Sequence, residues 1–329
     1  MEALASIVND HVGVIDYSVV IPVYNEAPTL HELCRRLYAV VCSNDGAWEV
    51  IFVNDGSKDN SLDVLLDLRT EFPFIRVVDL SRNFGHQPAL TAGLDHASGR
   101  AVVMMDADLQ DPPEALSRFI EQWRKGYEVV YALRTKRKEG PLLRWSFSMF
   151  YRIQNRMSHV NMPLNAGIFS LIDREVVKAL HDMPEHHRYL AGLRAYAGFR
   201  QIGIEIERGA RHEGEPRVGL RGLISLALDA VFAFSTFPLR LVLLGGVLIS
   251  SISFLLAAAG LYYRYVMHQQ LFDWTFGLST TFFFGGIQLI SIGIIGEYIG
   301  RIYDEVKRRP YYITRATYGF GEKNFQRNV

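Results

Sequence analysis

Two acidic side chains follow an apolar run in the first half of the chain, and their spacing suits a divalent metal ion. Asp106 and Asp108 come directly after residues 101–105, a run of Ala, Val and Met. Two carboxylates one residue apart at a strand end can both approach one hard cation, such as Mg²⁺ or Mn²⁺, held jointly with substrate phosphates. Such an ion would neutralise charge on a departing diphosphate. The alternative interpretation is that Asp108 starts a turn.

Two further polar clusters follow apolar runs in the same way. Residues 24–26 (Tyr-Asn-Glu) follow residues 18–23, and residues 54–57 (Asn-Asp-Gly-Ser) follow residues 49–53. Asp55 either starts a turn at Asp-Gly or binds the base or phosphates of a nucleotide. Ligands of open α/β sheets bind beyond the carboxyl ends of the strands, so we expect the three clusters to share one site.

The elements that position these clusters alternate between strands and helices. Val- and Ile-rich runs recur at 18–23, 49–53, 75–80, 101–105 and 129–131. Between them lie helix-length stretches with apolar residues three or four apart, as at Leu30, Leu33, Leu37 and Val41. This alternation predicts an α/β domain whose mostly parallel sheet is covered on both faces.

Two long apolar segments follow this domain. Residues 241–263 and 274–296 contain no Asp, Glu, Lys or Arg over 23 residues each. As helices each would span about 35 Å, against a hydrocarbon core of roughly 30 Å. A pair of buried core helices is the alternative, but the link at 264–273 is too short to hold a domain. The pattern therefore predicts a transmembrane hairpin.

Flanking charges and amphipathicity complete the predicted organisation. Basic residues concentrate outside the hairpin, which places both termini in the cytoplasm by the positive-inside rule. The first 16 residues carry no signal-peptide pattern. The predicted divisions are an extension (1–16), a catalytic domain (17–216), an amphipathic interfacial helix region (217–238), the two transmembrane helices (within 239–300) and a cytoplasmic tail (301–329). An ordinary surface helix is the alternative for the amphipathic region.

Charge and composition narrow the classes of function. The chain has 35 Lys+Arg and 35 Asp+Glu and is 49% hydrophobic, which excludes a disordered chain and a strongly basic nucleic-acid binder. Its two cysteines cannot build a disulfide framework. One basic cluster includes Arg134 and Arg144, and a second includes Arg211 and Arg217. Because they adjoin the sheet edge and an anionic membrane, we expect phosphate contacts from them.

Four motifs together resemble a known family. They are Val-Ile-Pro-Val-Tyr-Asn-Glu (20–26), Val-Asn-Asp-Gly-Ser-Lys-Asp (53–59), Leu-Ser-Arg-Asn-Phe-Gly (80–85) and Asp-Ala-Asp-Leu-Gln-Asp-Pro-Pro-Glu (106–114). They resemble glycosyltransferase family 2, specifically its polyprenyl-phosphate branch. The similarity continues to Gly-Glu-Tyr-Ile-Gly-Arg (296–301), so it covers nearly all of the chain after residue 16. The resemblance implies a GT-A fold (Rossmann-like), a nucleotide-sugar donor and inversion at the anomeric carbon.

The resemblance also implies roles for individual residues. The nucleotide-sugar positions are Pro22, Tyr24, Glu26, Asp55 and Asp106. The metal positions are Asp106, Asp108 and Gln110. The resemblance matches Arg134, Arg144 and Arg217 to phosphate-binding positions, and Arg211 is added to them from the second basic cluster. Arg134 and Arg144 also count as catalytic with the two aspartates. Ile168 and Ser170 replace an acid and an arginine that relatives often carry, and Pro216 replaces a Ser or Thr. These departures bear on the choice of sugar and on the acceptor geometry.

The predicted function is sugar transfer from a nucleotide sugar, expected to be a UDP-sugar, to undecaprenyl phosphate at the bacterial inner membrane with Mg²⁺ or Mn²⁺. An ionised acceptor phosphate needs no general base, and the chain shows no convincing one. Two alternatives stay open: a catalytically silent membrane subunit that binds a nucleotide sugar, and a processive polysaccharide synthase. Small residues at Gly285, Gly286 and Gly293 would also permit a homo-oligomer. Nucleic acid is not an expected partner.

Overall fold

The computed structural model describes residues 14–134, 166–183, 185–186, 188–206, 237–266 and 274–320. The strands are β1 (Tyr17–Val23), β2 (Trp48–Asn54), β3 (Ile75–Leu80), β4 (Ala101–Met104), β5 (Val129–Arg134), β6 (Ala166–Asp173), β7 (Gln201–Ile206) and β8 (Thr314–Tyr318). The helices are α1 (Ala27–Ser43), α2 (Ser61–Glu71), α3 (His86–His96), α4 (Leu116–Arg124), α5 (Arg174–His181), α6 (Leu190–Tyr196), α7 (Phe237–Tyr265) and α8 (Trp274–Lys307). A 3₁₀ turn at Pro113–Ala115 precedes α4.

Within the described ranges the strands form one mostly parallel sheet in the order β7-β5-β6-β4-β1-β2-β3-β8. Strand β1 pairs in parallel with β2 and with β4, so the loops after all three strands emerge at the same edge. Strands β6 and β8 run antiparallel to their neighbours. The α/β sheet predicted from strand–helix alternation is confirmed.

Burial of the central strands explains why they read as continuous apolar runs. All seven residues of β1 and all seven of β2 are buried, as expected for strands covered by helices on both faces. Helix α1 contributes Leu30, Leu33 and Leu37 to the same core, each almost fully buried. Burying one such leucine stabilises the fold by about 1.5–3 kcal/mol relative to leaving it exposed. This rigid core holds the strand ends in place.

The chain divides into two compact units. The first contains the sheet together with residues from 310 onward, and the second contains α7 and α8. Residues 301–329, expected as a tail, include the end of α8 and strand β8, which pairs antiparallel with β3. Most of the predicted interfacial region, residues 217–236, lies outside the described residues.

The two predicted membrane segments lie within helices, but the predicted two-helix transmembrane hairpin is not confirmed. Residues 241–263 fall within α7 and residues 274–296 within α8. Among the described residues, Thr280–Lys307 alone is a helix long and apolar enough to cross a membrane. The apolar stretch of α7, Val242–Leu256, is shorter. A two-helix transmembrane hairpin is therefore not established by these helices.

The two cysteines of α1 occupy contrasting environments, so their reactivities provide a direct test of how this helix packs. Cys34 is buried and Cys42 is exposed. Burial raises the pKa of the Cys34 thiol to about 12, and the nearby Glu71 carboxylate adds to this effect. Since the thiolate is the reactive form, we expect iodoacetamide to modify Cys42 in the native protein and Cys34 only after unfolding. Peptide mass spectrometry of protein alkylated with and without denaturant checks this, and native modification of Cys34 would contradict the packing of α1.

Candidate active site

A cavity of about 260 Å³ lies at the carboxyl ends of β1, β2 and β4. Its lining residues are Pro22, Val23, Tyr24, Glu26, Asp55, Asn83, Gly85, His86, Asp106, Ala107 and Asp108. The structure therefore brings together the three polar clusters that follow separate strands in the sequence. All five predicted nucleotide-sugar positions, and two of the three predicted metal positions, line this single cavity.

The loop after β4 presents its two carboxylates through an uncommon backbone conformation. Leu109 has a φ of 59°, in the left-handed region that bulky residues rarely adopt. Its side chain is buried in the core, which offsets the strain of this turn. Oδ1 of Asp108 accepts a hydrogen bond from the backbone N–H of Gln110 at 3.1 Å. The turn alternative for Asp108 is thus realised, while Asp108 still lines the cavity.

His86 contacts the first of these carboxylates, although we assign it no role from the sequence. Its Nε2 lies 2.8 Å from Oδ1 of Asp106, and the Asp106 side chain is 27% exposed. His86 is the first residue of α3, so the fold of the loop after β3 determines this contact. The only sequence signal was its position just after the Asn-Phe-Gly motif that follows a strand. The imidazole therefore borders the predicted metal position.

Asp55 holds the loop between β3 and α3 against the end of β2. Its Oδ1 accepts the Phe84 N–H at 2.7 Å, and its Oδ2 accepts the Gly85 N–H at 2.9 Å. The side chain is only 3% exposed. Burial raises the pKa of Asp55 above its usual value, while the two backbone N–H groups and the nearby His86 and Arg82 side chains oppose that rise. Asp55 therefore shapes the cavity wall as well as lining it.

The loops after β1 and β2 are tied together by side-chain to backbone hydrogen bonds. Asn25, with φ at 55°, accepts the Lys58 N–H through Oδ1 at 2.8 Å and donates its own N–H to Ser57 Oγ at 3.1 Å. The Glu26 N–H donates to Ser61 Oγ at 3.1 Å. Asn and Ser side chains often organise turns in this way. The cavity wall is therefore pre-formed by three interlinked loops.

Gly56 allows the loop after β2 to approach the loop after β3. Its φ is +64°, and an added Cβ would lie 2.5 Å from backbone atoms of Arg82 and Asn83. We expect Gly56→Ala to destabilise the fold by about 2–4 kcal/mol, because backbone must shift in addition to the positive-φ cost. Equilibrium unfolding in urea measures the loss.

A second glycine provides the matched control for that substitution. Gly126 also has a positive φ, +89°, but its added Cβ would meet only the end of the Arg200 side chain at 3.6 Å. Gly126→Ala should therefore cost only about 1–2 kcal/mol. Equal losses for the two variants would show that the close approach at Gly56 does not matter.

The remaining predicted site residues fall outside the described cavity. Gln110 is half-buried and is not among the lining residues, although its N–H bonds to Asp108. Arg134 is the last residue of β5. Arg144, Arg211 and Arg217 lie outside the described residues. The metal role of Gln110 and the phosphate-binding roles of the four arginines therefore remain predictions.

Ile168 and Ser170, which replace an acid and an arginine that relatives often carry, both lie on β6. Ser170 is fully buried, pairs in register with Met104 of β4, and donates its hydroxyl to the Ile168 carbonyl at 2.8 Å. An arginine could not occupy this position without a partner for its charge. Ser170 is therefore part of the buried core, on the strand next to β4, which the two aspartates follow.

A larger cavity, of about 580 Å³, lies at the opposite edge of the sheet and does not collect the predicted site residues. It is lined by residues that include Tyr17, Trp123 and Arg124. Trp123 donates to Asp173 at 2.7 Å, and Arg124 donates to the Tyr17 hydroxyl at 3.0 Å. These polar groups are engaged with one another, so the smaller cavity is the better candidate.

Comparison with known proteins decides the family. Residues 18–180 match Glycosyl transferase family 2. An uncharacterized glycosyltransferase of Bacillus subtilis (strain 168), YkcC, is 42% identical over 315 residues, covering 95% of this chain and 98% of that protein. The chain belongs to glycosyltransferase family 2. A bactoprenol glucosyl transferase of Shigella phage SfII is 38% identical over 302 residues, covering 92% of this chain and 98% of that protein.

The resemblance to the polyprenyl-phosphate branch of family 2 is confirmed by these relatives. The mostly parallel sheet agrees with the GT-A-like architecture that the resemblance implies. Among solved structures, mannosyl-3-phosphoglycerate synthase from Rubrobacter xylanophilus has a TM-score of 0.46 at 19% identity, covering 70% of this chain and 75% of that chain.

The carboxylate oxygens of Asp106 and Asp108 are suitable ligands for a divalent metal ion that also binds substrate. No group of three or more His, Cys, Asp or Glu side chains gathers for a metal within the described part of the chain. Asp106 and Asp108 nevertheless place two carboxylates in one cavity. Mg²⁺ and Mn²⁺ are commonly bound by one or two carboxylates together with substrate phosphates and water. The chemistry of the two side chains is therefore suited to such an ion.

Proposed function

We propose that this glycosyltransferase moves a sugar from a nucleotide-sugar donor, a UDP-sugar, to the phosphate of undecaprenyl phosphate. The supporting observation is the cavity at the carboxyl edge of the sheet, which is lined by the predicted nucleotide-sugar positions and by Asp106 and Asp108, the two carboxylates predicted to bind a metal. Relatives named bactoprenol glucosyl transferase support a polyprenyl-phosphate acceptor. The product is a lipid-linked sugar phosphate for envelope glycan or lipid modification.

In this proposal each strand-end loop has a separate task. The donor nucleotide contacts Pro22, Tyr24, Glu26 and Asp55. Asp106, Asp108 and Gln110 would hold a divalent ion, which would neutralise charge on the departing nucleoside diphosphate. Asp55 stabilises the cavity wall by accepting hydrogen bonds from the Phe84 and Gly85 N–H groups. The protein thus supplies positioning and a preorganised charge environment.

The acceptor phosphate is the nucleophile. Its second pKa is about 6, so it is largely ionised at neutral pH and needs no proton acceptor from the protein. We propose that Arg134, Arg144, Arg211 and Arg217 bind this phosphate. Its oxygen attacks the anomeric carbon as the bond to the diphosphate breaks, which inverts the configuration at that carbon.

A membrane location follows from the same proposal. We propose that α7 and α8 form a transmembrane hairpin, with the catalytic unit and both termini on the cytoplasmic side of a bacterial inner membrane. The apolar lengths of Thr280–Lys307 and Val242–Leu256 support this arrangement. The residues from 217 to 236 would then lie in the interface, where a polyprenyl phosphate presents its head group.

The test is a donor screen with the full-length protein in native-like membranes. Undecaprenyl phosphate and Mn²⁺ are incubated with a panel of nucleotide sugars, and lipid products are identified by mass spectrometry. Undecaprenol, which lacks the phosphate, is the matched acceptor control. We expect one donor to yield a sugar-phosphate lipid and no product from undecaprenol. Nucleotide-sugar binding without product across the panel would instead support a silent binding subunit.

A further inference from the structure

The segment that follows the apolar helix α8 returns to the catalytic unit and contacts the site loops. We call residues 311–320 the C-terminal strap. Its strand β8 pairs antiparallel with β3, with Val77 opposite Tyr318 and Leu80 opposite Thr314. Just beyond β3, the Ser81 N–H donates to the Ile313 carbonyl at 2.8 Å. The strap therefore covers the edge of the sheet and holds the start of the loop between β3 and α3.

Arg315 on the strap contacts Ser81 and the buried Asp79. Its Nη2 donates to the Ser81 carbonyl at 2.7 Å, and its Nη1 lies 3.8 Å from Oδ2 of Asp79. The Asp79 side chain is 2% exposed, while that of Arg315 is 63% exposed. An ion pair between two exposed side chains contributes little to stability. Removing the cation beside a buried carboxylate, however, leaves the negative charge of that carboxylate poorly compensated. Arg315 therefore acts on a buried partner.

Asp79 continues this connection to the loop after β2. Its Oδ1 accepts a hydrogen bond from Nδ2 of Asn54 at 2.7 Å. Oδ1 of Asn54 in turn accepts the Ser57 N–H at 3.2 Å, and Ser57 Oγ accepts the Asn25 N–H. Asn54 directly precedes Asp55, which lines the cavity. The ion pair between Arg315 and Asp79, followed by these hydrogen bonds, thus links the strap to the loops after β2 and β1.

A second contact joins the strap to α3. The Tyr312 hydroxyl donates to Oδ2 of Asp95 at 2.8 Å. Asp95 lies near the end of α3, and the first residue of that helix, His86, contacts Asp106. The strap therefore holds α3 near its end and, at Ser81, the loop that leads into its start.

We propose that Arg315 is a positioning residue for the donor cavity, and that the strap sets the loops that bind the nucleoside diphosphate part of the donor. The proposal rests on the proposed function for the identity of that ligand. It predicts that donor binding depends on residues that follow α8 in the chain, more than 200 positions after the loops that contact the donor. Arg315 acts through Asp79, Asn54 and Ser81, without contacting substrate.

The first measurement needs no ligand. Hydrogen–deuterium exchange is followed in the full-length protein and in Arg315→Met, with Arg309→Met as the control for an exposed arginine that also follows α8. We expect faster exchange in Arg315→Met at the amides of Ser57, Ser81, Phe84 and Gly85, and no change in the control. Unchanged exchange at these amides would overturn the proposal.

The second measurement uses UDP with Mn²⁺ as the probe, titrated calorimetrically. We expect the Kd of UDP to rise about tenfold in Arg315→Met, as for loss of one charge-assisted hydrogen bond. Arg315→Lys should recover part of the affinity, and the donor KM should rise with kcat within about twofold. Unchanged Kd and KM would assign the strap a purely structural role.

A gentler variant covers the case in which Arg315→Met fails to fold. Tyr312→Phe keeps the ring and removes only the hydrogen bond to Asp95, and it should raise the Kd of UDP about threefold, with faster exchange in α3. If Tyr312→Phe shows neither a higher Kd of UDP nor faster exchange in α3, that result would contradict the proposal. If the wild-type chain does not bind UDP but loop exchange still depends on Arg315, the proposed donor is wrong and the positioning role stands.

Discussion

Replacing Asp106 and Asp108 together by asparagine is expected to slow nucleoside diphosphate release by about 10³-fold, while the protein remains folded. Both side chains line the cavity at the edge where the other strand ends meet. Asparagine keeps their size but removes the negative charge that attracts a divalent ion. In the proposed function that ion neutralises the leaving diphosphate, so its loss would cost several kcal/mol in the transition state.

The matched control is a second pair of aspartates exchanged for asparagine. Asp63 and Asp67 are exposed on α2 and do not line the cavity. Their double variant should retain the wild-type rate within about twofold, since surface substitutions rarely matter. Rates are measured with a saturating donor, undecaprenyl phosphate and a Mn²⁺ series. A rate within about threefold of wild type for the Asp106 and Asp108 variant would show that neither carboxylate carries the metal chemistry.

The position of the site could be predicted because parallel strands have a simple geometry. Buried strands read as apolar runs, and polar residues that follow such runs must emerge at the same edge when the strands are parallel. Asp55, Asp106 and Asp108 are far apart in sequence, yet they line one cavity for this reason. The helices could be predicted from apolar spacing, as at Leu30 and Leu33, which are buried.

Other features depend on contacts between distant segments and leave no local pattern. Strand β8 has few apolar residues, and only its pairing with β3 makes it a strand. The contact of His86 with Asp106 depends on how α3 is docked, which spacing alone does not reveal. The second role of Asp55, as an acceptor for Phe84 and Gly85, likewise arises only when two loops meet.

Arg194 is a buried arginine with few hydrogen bonds in the part of the chain that the structure describes. The side chain, on α6, is 1% exposed. Its Nη2 lies 3.4 Å from the Gly167 carbonyl, and Nε and Nη1 have no hydrogen-bond partner in the described part of the chain. Its guanidinium also lies 5.3 Å from the centre of the Tyr131 ring. Buried cations with so few hydrogen bonds are costly to the folded state.

The pKa of Arg194 gives the sign of that cost. Burial lowers the pKa to about 10, while the Tyr189 and Tyr131 side chains oppose the change. The group stays protonated at neutral pH, but the unfolded chain holds the proton more tightly than the folded one. The buried charge therefore lowers stability at neutral pH, and this cost declines as pH rises through the folded pKa.

We therefore expect Arg194→Met to raise the free energy of unfolding by about 1–3 kcal/mol, because methionine fills similar space without a buried charge. Part of the gain is offset by the lost cation–π contact with Tyr131. Arg200→Met is the matched control, since Arg200 lies at the same 5.3 Å from the Tyr127 ring but is exposed. Its effect should stay within about 0.5 kcal/mol. Urea unfolding of the full-length protein measures both, and a loss of stability in Arg194→Met would show that contacts of the guanidinium outweigh the cost of burying its charge.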